Sequence, residues 1–286
     1  STTALAGTIA ATSISANTAS GFSIVAFNKT TNGSTASTFG HGLSAVPEMI
    51  ILKRTDATDD WYVYHKDLGN TVRISLNTTA AQVTGTNLWG STSPTDSVFK
   101  LLGYNAGNAL AYCFASIPGM SDIGSYVGNA GITSIVTGFR PAFVMVKATT
   151  RTGGWFMLDN KRLNTTGNAT EYLQADSDSP EFGLSNSDGS QFVSNGFILN
   201  TSIGGFNENG QTYIYLAIAE QVYNANGVTA NQTNPFNDGS QVAQYEFEDN
   251  AYDSQPNGYI GKGGTFNGSS SKIEAINSAL SSNTIR

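Results

Sequence analysis

Short apolar runs of about four to eight residues, separated by clusters of Gly, Asn, Asp, Ser and Thr, recur along most of the chain. Helical periodicity is weak throughout: only "YLQADS" and "EAINSAL" could form a turn or two. The pattern predicts strands. "EMIILK" (48–53) is continuously apolar, as a strand buried on both faces or at a sandwich centre would be. "WYVYHK" (61–66) returns after the polar turn "RTDATDD". The same hairpin is written again as "FVMVKATTRTGGWFMLDN" (143–160). With a period of two, Trp155 and Met157 face one way and Phe156 and Leu158 the other.

An offset of 94 aligns Pro47 with Pro141, Lys53 with Lys147, Thr55 with Thr149, Thr58 with Thr152 and Trp61 with Trp155, without a gap. Beyond the hairpin the offset drifts, as loop insertions require. "SVFKLL" pairs with "NGFIL", and "LAYCFA" with "IYLAIA". The fold class expected is all-β, with two tandem β-sandwich-like repeats of about 95 residues, 21–118 and 122–221, and the start of a third β unit. Residues 1–20, mostly Ala, Ser and Thr, are expected to be low-complexity linker. The Asn-rich stretch 222–243 is expected to be a second linker, and 244–286 an incomplete β-sandwich start.

Composition narrows the function classes. Charged residues are only 12 % of the 286, while aromatics reach 10 %, so this is a β-rich chain and not a disordered one. The net charge is −7, and the 14 basic residues are scattered. Nucleic-acid binding and attraction to an anionic membrane surface are therefore not expected. No run of 18 apolar residues occurs, so no membrane insertion is expected. The N-terminal residues lack the basic start and apolar core of a signal peptide, and without an initial Met the chain reads as a piece of a longer polypeptide.

Candidate chemistry is sparse. Cys113, the sole cysteine, lies in an apolar run and is expected to be a small core residue. Of the two histidines, His41 lies between glycines and His65 has no histidine counterpart in the second repeat; no G-x-S-x-G elbow accompanies them. Asp56, Asp59, Asp60, Asp176 and Asp178 could supply a glycosidase pair, but they sit in turn-like segments where Asp serves local hydrogen bonding. Asp249, Asp253 and Asn257 concentrate oxygen ligands, and Ca²⁺ is the one cofactor they suggest, although their spacing is not that of an EF-hand. Eight N-x-S/T sequons are what an Asn-, Ser- and Thr-rich chain produces by composition. Trp61 and Trp155, recurring at one position of a repeat, are expected to be core anchors. Trp89, in a turn-like stretch with no counterpart, is the expected exposed ligand contact.

The matching segments "GFSIVAF", "GHGLSAVPEMIILKRTDATDDWYVYHKDLG" and "AYCFASIPG", followed by "GSYVGNAG", "TGFRPAFVMVKATTRTGGWFMLDNKR" and "TYIYLAIAE", resemble a duplicated β-domain of virion structural proteins of tailed bacteriophages, notably marine and cyanobacterial ones. "YEFEDNAYDSQPNGYIGKGGTFNGSSSKIEAI" resembles the opening strands of a laminin-G or concanavalin-like lectin sandwich. These resemblances imply a non-enzymatic fibre, tail-associated or head-decorating protein of the extracellular virion. They also imply assembly as a homo-oligomer (a trimer, by analogy with fibres) with other virion proteins, and contact with a host glycan through a distal lectin-like part.

Overall fold

The computed structural model describes residues 6–33, 35–162, 168–169, 171–183, 190–199 and 205–220, all within the first compact unit of the chain, Ser1–Val222. The described residues form an all-β fold without helices.

The first repeat contains β1 (Ser13–Asn17), β2 (Phe22–Lys29), β3 (Ser37–Gly40), β4 (Met49–Arg54), β5 (Tyr62–His65), β6 (Ile74–Ser75), β7 (Val98–Leu101) and β8 (Gly107–Phe114). The second contains β9 (Ser121–Val127), β10 (Thr133–Val136), β11 (Pro141–Ala148), β12 (Trp155–Asp159), β13 (Asn168–Ala169), β14 (Glu171–Gln174), β15 (Phe182–Gly183), β16 (Ser190–Val193), β17 (Gly196–Leu199) and β18 (Thr212–Ala219). One large sheet runs β1-β2-β8-β4-β5-β6, the other β9-β18-β11-β12-β14-β15. The small sheets are β3-β7 and β10-β17-β16-β13, and every ladder is antiparallel.

Strand for strand, β2-β8-β4-β5-β6 corresponds to β9-β18-β11-β12-β14, and β3-β7 to β10-β17. The duplication in the sequence is thus a duplication of topology. The second repeat adds β13, β15 and β16; the first adds β1.

Three cores explain the uninterrupted apolar runs. Ile50 and Leu52 of β4 face the first-repeat core with Val25, Phe27, Phe39 and Phe99. Val144, Val146, Phe156 and Leu158 face the second-repeat core with Phe197 and Tyr215. The alternate residues enter a third core shared by both repeats: Met49, Ile51, Val63 and Ile74 meet Ile123, Met145, Trp155, Ile214 and Leu216. Each large sheet is therefore buried on both faces, one against its small sheet and one against the other large sheet. The shared face is self-complementary in sequence: Met49 and Phe143, Ile51 and Met145, Trp61 and Trp155, Val63 and Met157 occupy matching positions on its two sides. This is the pattern of an isologous dimer interface within one chain.

Residues 1–20 were expected to be linker, and for the described part the structure corrects this. β1 pairs with β2 from Ser13↔Ala26 to Asn17↔Phe22, and Ile9, Ala11 and Ile14 pack against the first-repeat core. The segments 222–243 and 244–286 lie outside the described residues.

Candidate functional site

The repeated hairpin is built around a lysine and a tryptophan. Lys53 Nζ lies 5.8 Å from the Trp61 ring centre and Lys147 Nζ 5.9 Å from that of Trp155. Each ammonium donates to a carbonyl of its own hairpin loop, Lys53 to Asp59 and Lys147 to Gly153, again 94 positions apart. Each Trp main-chain N–H donates to a side-chain oxygen of the turn just after the next strand of its sheet: Trp61 to Asn77 Oδ1 at 2.9 Å and Trp155 to Asp176 Oδ1 at 2.7 Å. The lysine thereby supplies a donor to a loop carbonyl.

The two copies have diverged. Trp155 is fully buried, and its indole N–H crosses to the first repeat, donating to Ser75 O at 2.9 Å. Lys147 is buried as well; desolvation lowers its pKa to about 8, against the opposing pull of Asp176. Trp61 is only partly buried and stacks on Tyr112, with centroids 6.3 Å apart. Trp155 thus anchors the shared core, and Trp61 borders it.

Trp89 is not the exposed contact expected of it. It is 1 % exposed, its indole N–H donates to Val72 O at 3.1 Å, and it meets Tyr64 edge-on at 5.6 Å. The turn that carries it folds inward, and burial leaves no ring face for a ligand. Cys113 is buried, and desolvation pushes its thiol up to about 12, so it is not a thiolate nucleophile at neutral pH.

Both histidines are buried. His41 Nε2 lies 3.1 Å from Thr95 O, and its Nδ1 accepts from Leu43 N–H at 3.3 Å. Donor and acceptor roles are both filled by the neutral ring, and burial lowers its pKa. His65 Nδ1 accepts from Asp67 N–H at 3.2 Å. Desolvation lowers the His65 pKa to about 4; Asp67, Glu48 and the Tyr215 main chain oppose the shift, and Lys66 adds to it.

A titratable cluster lies beside His65, where the two repeats meet. Lys66 Nζ binds Glu48 Oε2 at 2.9 Å, and the Ser116 hydroxyl donates to the same oxygen at 2.5 Å. Ser116 Oγ in turn accepts the Ile123 N–H at 3.1 Å. Tyr215 OH donates to Asp122 Oδ2 at 2.5 Å, and desolvation raises the Asp122 pKa despite that bond. Ser116 faces a carboxylate and not an imidazole. Its chemistry is that of a latch between strand ends. The sequence reading missed it, although the hairpin register Met49↔His65 places Glu48 opposite Lys66.

The aspartates of the first hairpin serve its turn. Asp56 binds Arg54 and the Asn108 N–H, Asp59 binds Arg54, and Asp60 accepts from Ser75 and Asn77. Asp178 is exposed. Among the described residues no three His, Cys, Asp or Glu side chains converge as metal ligands. Asp249, Asp253 and Asn257 lie outside the described residues.

These features define the class: a duplicated all-β module whose halves share a core. Residues 1–222 match the profile of the family described as a domain of unknown function, DUF7483, and the chain belongs to that family. Comparison with curated proteins and with solved structures finds no match.

Proposed function

We propose that the chain is a structural module of a tailed-phage virion, part of a tail fibre or other appendage that supports attachment to the host surface, and that it works without catalysis. The observation that carries this reading is the self-complementary shared core, which joins two β-sandwich-like halves into one body. A rigid, weakly charged β-body suits a spacer or platform in a particle. The resemblance of both repeats, in order, to virion structural proteins supports the same reading; a head-decorating fibre is its nearest variant. The reading includes homo-oligomerisation, with a trimer preferred, and host-glycan contact through the distal lectin-like part. A cryo-EM map of the intact phage particle encoding the chain tests it: density for this fold on a tail or head appendage is expected, and absence of the chain from purified particles would overturn it.

One observation favours a second reading, a secreted carbohydrate-binding module or adhesin. Trp61, only partly buried and stacked on Tyr112, forms an aromatic pair of the kind that sugars stack on. Glycan-array binding by residues 1–222, lost in Trp61→Ala, would favour it.

A further inference from the structure

The two repeats differ at one edge. In the first, β2 and β3 would be edge strands of their sheets, yet residues 7–17 cover both. Ile9 N–H donates to Thr38 O at 3.2 Å, and Thr8 and Thr38 exchange N–H to hydroxyl bonds at 2.9 Å. Gly7 approaches β3 so closely that a Cβ would sit 2.7 Å from Thr38 O. The segment then crosses to the large sheet, where Thr12 N–H donates to Ala26 O at 2.8 Å and β1 continues the ladder.

In the second repeat the corresponding strands, β9 and β10, are the edges of their sheets. Gly128 N–H bonds Gln211 O, so the even-numbered residues of β9 point inward to β18 and the odd-numbered ones outward. Thr137 N–H bonds Asn195 O, so in β10 the even-numbered residues point outward. Of the outward groups, Ile123 N–H is held by Ser116 and Ile132 O by Asn129. No described residue pairs with the outward main chain of Ser125, Val127, Ser134 or Val136. In repeat register Ser134 stands where Thr38 does, and Ser125 where Ala26 does.

The side chains there are unusually apolar for an edge. Val127 is 59 %, Ile132 71 % and Val136 68 % exposed, the highest values for large hydrophobic residues among those described. Natural edges are guarded by Lys, Pro, bulges or covering segments. β10 has no charge, and the one charge of β9, Asp122, is tied to Tyr215.

From the covered edge of the first repeat we infer that the β9–β10 edge is a strand-acceptor seat. Its occupant is an extended, uncharged segment of another polypeptide chain, of the chemistry of residues 7–12: a glycine for the close approach to β10, then β-branched and small residues crossing to β9. Main-chain hydrogen bonds hold it, and its aliphatic side chains lie beside Val127 and Val136.

The probe is a synthetic peptide with the sequence of residues 7–17, added to the full chain, whose own copy of that segment already fills the first repeat. Hydrogen exchange is read at Ser125, Val127, Ser134 and Val136. The expected result is a saturable slowing of at least about tenfold at these amides. It is lost in Ser125→Pro, which removes an outward donor at a position where an edge strand tolerates proline, and weakened in Val127→Lys. Unchanged melting of both variants establishes that they fold. The inference is overturned by no slowing, by equal slowing in Ser125→Pro, or by concentration-dependent protection without peptide, which would make a second copy of the chain the occupant.

Discussion

At the residue scale, the same position of the repeat carries different duties. Trp155 is enclosed by the shared core and hydrogen-bonded across it, whereas Trp61 is only partly buried. Trp155→Ala should cost about 3–5 kcal/mol by urea denaturation, and Trp61→Ala clearly less. Trp89→Ala should be as costly as Trp155→Ala, since it empties a core position and orphans Val72 O. His65 sets a pH dependence. Its folded pKa of about 4 lies below the 6.5 of a free imidazole, so between these values the unfolded chain binds the extra proton. Stability is therefore unaffected by His65 above pH 6.5, falls as pH drops from 6.5 to 4, and levels off below. The loss is on the order of 3 kcal/mol. His41 shifts in the same direction. Melting temperature against pH should be flatter over this window in His65→Gln. The inward fate of Trp89 was not legible in the sequence, because a bond between residues 17 positions apart leaves no local signature.

At the element scale, legibility followed burial. β4, β11 and β18 are buried on both faces, and their continuous apolar runs show it. The alternation in β12 was also readable, with Trp155 and Met157 entering the shared core and Phe156 and Leu158 the other. β1 and the segment before it were not readable: Ser, Thr and Ala carry little periodic contrast, and the strand forms because a partner edge is available. Ile9→Asp should therefore destabilise the first repeat by about 1–3 kcal/mol, by putting a charge into a half-buried apolar contact and freeing the β2 and β3 edges. Size-exclusion chromatography of the variant should show added self-association from those edges.

At the scale of the whole molecule, the two repeats are halves of one body. An offset of 94 announced the duplication, but it could not announce that the duplicated faces bury one another; that follows from which side of each strand is apolar in both copies. A scaffold role depends on this coupling, since two independently unfolding repeats would make a hinged strap and not a platform. The most direct test is site-resolved hydrogen exchange on Ile51→Asp, which places a charge in the shared core from the first repeat alone. The account predicts that the amides of Val146 and Leu216, in the second repeat, lose protection together with those of β4. Unchanged protection in the second repeat would contradict it.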